Sequence, residues 1–309
     1  MLYTRAMNKT MCSSIRQIQK SFKKTLYSPN TPLSSVRAEY DDFFYSSHIP
    51  NHVDISHTII HTVPADILEP EVAAANRVIL YAHGGSFVAG SCKASWNLCA
   101  SLANECACKL FLPEYRLAPE YPFPAGLEDI YTVYAALLKE HSFSPSSIVF
   151  AGDDAGAALV TALVHYLKRK ELPLPAAVVL ISPWLDVSCS AEEITALRKK
   201  DKFLLKESLQ AAAGRYTAAD NFHNPLVSPL HGSFTKFPQT FIQCGEAEIL
   251  SVDAQELARK IEAAGGSVQL DMWHDMWHLF QAMDAHAREA HLAIERIGHW
   301  VQSLFNTEK

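Results

Sequence analysis

From about residue 56 onward, apolar positions fall into two alternating patterns. Short apolar runs such as Arg77 to Ala82, Ser147 to Ala151, Gln239 to Gln243 and Ser267 to Met272 suit strands buried on both faces. Between them, segments at about 95–107, 124–140, 155–170, 252–264 and 284–305 carry apolar residues at helical spacing. In the third of these, Leu159, Val160, Leu163, Val164 and Leu167 make one face. Two opening strands followed by repeated strand–helix units predict an α/β fold, a mostly parallel central sheet with helices on both faces. One stretch, 187–224, interrupts the alternation. Within it, Glu192 to Tyr216 is helical in pattern and charged. Its place between two core units predicts a helical cap over the carboxyl edge of the sheet. The chain then divides into an N-terminal cap segment (1–50), a first core part (51–186), the cap insertion (187–224) and a second core part (225–309).

Composition fits one large buried core: 309 residues, 49% of them hydrophobic. No apolar run approaches the length of a membrane helix. Seven cysteines, at 12, 92, 99, 106, 108, 189 and 244, are odd in number and scattered. They read as free thiols of a reducing, cytoplasmic compartment rather than a disulfide framework. A net charge of −6 argues against nucleic acid as a partner. The charge is unevenly spread. Residues 1–37 hold seven Lys/Arg and no Asp/Glu, which leaves 20 basic against 33 acidic residues beyond them. Ile15, Ile18, Phe22 and Leu26 would share one face of a helix there. A cap helix, a basic helix on an anionic membrane surface, and a transit peptide all fit that pattern, with the cap favoured. Oligomeric state is left open.

Four short segments follow strands and carry chemistry. Gly152-Asp153-Asp154-Ala155-Gly156 sits between a strand and a helix, in the frame G-x-S-x-G of a nucleophile elbow. Its small residues suit a strained turn with close helix–strand packing. Its centre, however, is Asp154 and not serine. His83-Gly84-Gly85-Ser86-Phe87 follows the strand ending at Ala82. Two glycines there can turn N–H groups toward one oxygen, as an oxyanion hole requires, or can simply close a βα turn. The position upstream of an elbow favours the first. Cys244 to Leu250 presents Glu248, and His274 to Phe280 presents His278, in the chain order nucleophile, acid, base. His274 and His278 stand four apart, but no third ligand of fitting spacing accompanies them, so no metal is expected.

These segments together resemble the hormone-sensitive-lipase group of α/β-hydrolases, including its bacterial esterases and monoterpene lactone hydrolases. The resemblance covers about residues 50–305. It runs from His83-Gly-Gly-Ser-Phe-Val-Ala-Gly-Ser91 through Glu114-Tyr-Arg-Leu-Ala-Pro-Glu120 and Pro122-Phe-Pro-Ala-Gly-Leu-Glu-Asp129. It continues through the elbow, Ser182-Pro-Trp-Leu-Asp186 and Pro225-Leu-Val-Ser-Pro229 to the acid and histidine segments. It implies an α/β-hydrolase fold that hydrolyses carboxylic esters or lactones; no cofactor is expected, and cap segments rich in Leu, Phe, Tyr and Ala suit a small apolar substrate. It also implies that Gly84, Gly85 and Ala155 supply the oxyanion N–H groups, with Glu248 orienting the base His278. Glu248 stands where the group usually has aspartate. Ser86 replaces the commonest third glycine. Asp154 stands where the group requires serine.

That substitution decides the chemistry. A serine elbow works because a histidine removes the hydroxyl proton. A carboxylate has no such proton, and its attack on an ester would give an anhydride. The favoured expectation is an esterase scaffold whose nucleophile has been replaced. Two alternatives stand beside it. Asp154 could displace a leaving group at saturated carbon, in an epoxide or haloalkane, with His278 activating water. Or the protein could bind small hydrophobic ligands or a partner without turnover. In either catalytic case Asp154, Glu248 and His278 should meet at the sheet edge, with His278 between the two carboxylates.

Overall fold

The computed structural model describes residues 31–45, 49–50 and 52–305. The candidate helix at 15–26 and Cys12 lie outside them. The first described helix is α1 (Leu33–Phe44), and a hairpin follows, β1 (Val53–Ile60) with β2 (Val63–Pro70). The alternation then begins: β3 (Val78–Ala82), α2 (Cys92–Cys106), β4 (Lys109–Pro113), α3 (Ala125–Lys139), β5 (Ile148–Asp153), α4 (Asp154–Arg169) and β6 (Ala177–Ile181). After β6 come α5 (Glu192–Leu197) and α6 (Lys206–Tyr216), then β7 (Gln239–Gly245), α7 (Ser251–Ala263), β8 (Val268–Trp273) and α8 (Arg288–Phe305). These bounds match the expected strands and helices to within a few residues. The difference lies at 192–216, where the expected helical stretch is broken into two helices by residues 198–205.

The eight strands form one sheet in the order β1-β2-β4-β3-β5-β6-β7-β8. Only β2 runs against its neighbours; all pairs from β4 to β8 are parallel. Helices α2 and α8 pack together, as do α3 and α4. The central strands β3, β5 and β6 are buried at every position, which is why they read as unbroken apolar runs. The hairpin strand β1 alternates between half-buried and exposed positions over most of its length, as a strand with one wet face does.

Parallel register positions the site. Ala82 pairs with Gly152, Asp153 with Ile181, and Gly245 with Trp273. The segments that follow β3, β5, β6, β7 and β8 therefore leave the sheet at one edge. Ligand sites in open α/β sheets lie outside the carboxyl ends of the strands. Among the described residues, no helix is long and apolar enough to cross a membrane.

Candidate active site

The elbow forms as its sequence demands. Strand β5 ends at Asp153, and Asp154 opens α4 with φ of +46°, a left-handed conformation that non-glycine residues seldom adopt. Gly156 makes the turn possible, because a side-chain carbon there would overlap the Ala82 backbone carbonyl. Asp154 and Ala155 are fully buried. Ala155, at the second position of α4, lies in the first helical turn, where N–H groups have no partner within the helix.

The Asp154 carboxylate is turned onto the loop after β3. Its Oδ2 accepts the Gly85 N–H at 3.0 Å, the Ser86 N–H at 2.7 Å and the Ser86 hydroxyl at 3.3 Å. Gly85 reaches this geometry with φ of +121°, open essentially to glycine alone, and Ser86 follows at +54°. The expectation for Gly84 is corrected by one position. Its N–H donates to Asp153 Oδ1 at 2.9 Å and is not free for another oxygen. The donors aimed at Asp154 are those of Gly85 and Ser86. Asp153 accepts the Tyr81 hydroxyl as well, at 2.7 Å, and so ties the loop to the core. Burial, together with the Asp154 charge, raises the Asp153 pKa to about 7, although the Tyr81 and Gly84 bonds oppose the rise.

Glu248 and His278 are brought together as expected. His278 Nδ1 lies 2.9 Å from Glu248 Oε2, and both side chains are buried. The other Glu248 oxygen accepts the Ser182 hydroxyl at 2.9 Å and the Gly245 N–H. Ser182, just past β6 with φ of +44°, in turn accepts the Leu279 N–H at 3.2 Å. The acid and histidine loops are also laced by main-chain bonds, from Glu246 N to the Trp273 carbonyl and from Ala247 N to the Met276 carbonyl. Burial works against a charged His278. The Glu248 hydrogen bond and the charges of Glu248, Asp154 and Asp201 outweigh it, so the histidine pKa is raised.

His278 does not bridge the two carboxylates by direct hydrogen bonds. Its Nε2 and Asp154 Oδ1 are both buried without a hydrogen-bond partner among the described residues. His274, by contrast, is exposed and pairs with Glu246 at 2.8 Å. Among the described residues no group of three or more His, Cys, Asp or Glu side chains could hold a metal ion. The six described cysteines are buried free thiols.

The segment between β6 and β7 touches this edge directly. Tyr216 of α6 stacks on Phe87 with centroids 3.9 Å apart, and Phe87 also meets Trp184 at 5.4 Å. Phe203 stacks on Trp277, next to His278, at 5.8 Å. Sequence reasoning missed Asp153, Ser182 and Asp201 as supports of the site. Asp153 and Ser182 lay inside segments already recognised, whereas Asp201 carried no signal within its run of lysines.

A family model described as the α/β-hydrolase fold matches residues 79–282. The chain belongs to this α/β-hydrolase family. It is similar to an acetyl-hydrolase of Streptomyces hygroscopicus, 36% identical over 74% of this chain and 76% of that protein. It is also similar to an esterase of Acinetobacter venetianus, 34% identical over 75% and 77%. Among solved structures, an esterase from the bacterial hormone-sensitive lipase family superposes with a TM-score of 0.90. That likeness has 31% identity and covers 95% of this chain and 99% of the other. Membership in the carboxylic ester hydrolases of this family follows. An aspartate at the elbow is the departure that its function must accommodate.

Proposed function

We propose that this α/β-hydrolase is a serine-esterase scaffold for small apolar carboxylic esters or lactones, in which Asp154 prevents ester turnover. The observation that carries the reading is the Asp154 carboxylate on the Gly85 and Ser86 N–H groups. Those donors would otherwise stabilise the oxyanion formed when an ester is attacked. A carboxylate oxygen there is an internal mimic of that oxyanion. Hydrogen bonds to charged groups contribute about 1.5–3 kcal/mol each, so a neutral ester carbonyl competes poorly for the two donors. The chain also lacks a hydroxyl for His278 to deprotonate at the elbow. The buried thiols fit a reducing compartment.

The test is Asp154→Ser assayed on short p-nitrophenyl esters. The serine Oγ would lose its proton to His278 Nε2 and attack the carbonyl carbon. The vacated donors would hold the oxyanion, and the protonated imidazole would then protonate the leaving alkoxide. Losing a triad member typically removes three or more powers of ten in rate, so the gain should be on the order of a thousandfold or more. No gain would refute the reading.

One observation favours a second reading. With Oδ2 held by two N–H groups, Oδ1 is the oxygen left to act, and His278 Nε2 is likewise unpaired. A carboxylate so held could attack a saturated carbon, forming a C–O bond as the leaving group departs with its electron pair. Water deprotonated by His278 would then hydrolyse the ester formed. Turnover of an epoxide or haloalkane by the unmodified chain, lost in Asp154→Asn, would establish this reading instead.

A further inference from the structure

The segment 198–205, which breaks the expected helix between α5 and α6, is organised around one carboxylate. Asp201 is nearly fully buried. Its Oδ1 accepts the Phe203 N–H at 2.8 Å and the Leu204 N–H at 2.9 Å, which closes a turn within the segment. Its Oδ2 leaves the segment and accepts the Ile249 N–H at 2.7 Å. Ile249 directly follows Glu248, the residue bonded to His278. Two residues beyond Asp201, the Phe203 ring lies nearly parallel to that of Trp277, with 6° between the planes. Trp277 directly precedes His278. A single turn of the insertion thus grips the acid loop by a charge-assisted bond and the histidine loop by an aromatic face. Across the same turn, the exposed pair Arg198–Glu207 joins the two helices at 3.1 Å.

We propose that Asp201 is a positioning residue for the acid–base pair, holding Glu248 and His278 in register and coupling their alignment to the seating of the insertion on both loops. Asp201 touches neither substrate nor reacting atoms. It acts through the Ile249 amide and through the seat it gives Phe203. The carboxyl groups that act on His278 come from separate elements: Glu248 after β7, Asp154 and Asp153 at the elbow, and Asp201 from the insertion. Asp201 therefore contributes charge as well as geometry. Burial raises its own pKa against three backbone N–H bonds that favour the carboxylate. The part of this proposal that concerns catalysis rests on the esterase reading of the site.

Asp201→Asn keeps the turn within the insertion and removes both the charge and the bond to the acid loop. An amide oxygen still accepts from Phe203 and Leu204, but the amide nitrogen cannot accept from Ile249. In the otherwise unmodified chain, the His278 imidazole is titrated by NMR; its midpoint should fall once the Asp201 charge is gone. In the Asp154→Ser background, adding Asp201→Asn should lower kcat by roughly ten- to a hundredfold through misplacement of the base, with a much smaller change in KM. The acidic limb of the pH–rate profile should move to lower pH. A fall in thermal stability with the His278 midpoint and the pH limb both unmoved would overturn the proposal and leave Asp201 a purely structural turn residue. If Asp154→Ser has no esterase activity, the esterase reading fails, and the titration alone decides the role of Asp201. If Asp201→Asn does not fold, Phe203→Leu is measured in its place, where an unchanged kcat in the serine background would overturn the proposal.

Discussion

At the scale of residues, the site is governed by where negative charge can rest. Asp154 places a carboxylate at the N-terminus of α4, where a helix favours anions, and beside two N–H groups already aimed at one oxygen. The same charge acts on His278, whose pKa is raised despite full burial. A histidine with a raised folded pKa stabilises the fold fully below its unfolded pKa and loses that contribution as pH rises through the folded value. Asp154→Asn keeps the shape of the side chain and removes the charge. The His278 midpoint, followed by NMR, should therefore fall in Asp154→Asn; equal midpoints would show that the Asp154 charge does not act on the imidazole. The one-residue error over Gly84 belongs to this scale too. Consecutive glycines reveal that the backbone can turn, not which N–H ends up facing the site. That choice follows from φ at Gly85 and from the claim that Asp153 makes on Gly84.

At the scale of elements, the elbow and the insertion respond differently to the same mutation. A side-chain carbon on Gly156 would overlap the Ala82 carbonyl, and backbone cannot yield there without moving β3 off α4. Gly156→Ala should cost about 3 kcal/mol or more, or prevent folding. Gly214, inside α6, has nothing within 4 Å of an added carbon. Gly214→Ala should therefore raise stability by up to about 1 kcal/mol, the helix-propensity difference alone. Chemical denaturation of the two variants checks both signs. Strand–turn–helix order at the elbow was legible because buried parallel strands read as apolar runs and the amphipathic α4 follows at once. The break at 198–205 was not legible. Glu192 to Tyr216 read as one charged helical stretch, and the turn that interrupts it is held by a tertiary bond that the Ile249 N–H donates to Asp201. Likewise, the approach of Glu248 to His278 was expected from chain order, but the Ser182 hydroxyl that braces both loops had no local pattern to show it.

At the scale of the whole molecule, two buried carboxyls strap loops to the sheet edge and give stability a dependence on pH. Asp153 holds Gly84, and Asp253, in the first turn of α7, accepts the Leu185 and Asp186 N–H groups at 2.6 and 2.9 Å. Burial raises both pKa values to about 7, from 3.8 in an unfolded chain. Between those values the folded state keeps protons that the unfolded state has released, so each group lowers stability as pH rises through that window. His165 acts in the opposite sense. Burial depresses its pKa to about 4 even though the hydrogen bond to the Pro229 carbonyl opposes the fall, so its contribution to stability grows as pH rises from there toward 6.5. The slope of the parent protein is thus a difference of opposed terms and does not by itself identify the carboxyls. Asp153→Asn and Asp253→Asn do, because an amide oxygen can keep the same N–H donors without titrating. Denaturation midpoints of the parent and the double variant are compared at pH 5 and pH 7.5. The advantage of the variant over the parent should widen from the lower pH to the higher. A constant gap would mean that both carboxyls titrate alike in the folded and unfolded chains, and a narrowing gap that folding lowers their pKa values; either result would overturn the pH cost assigned to the straps.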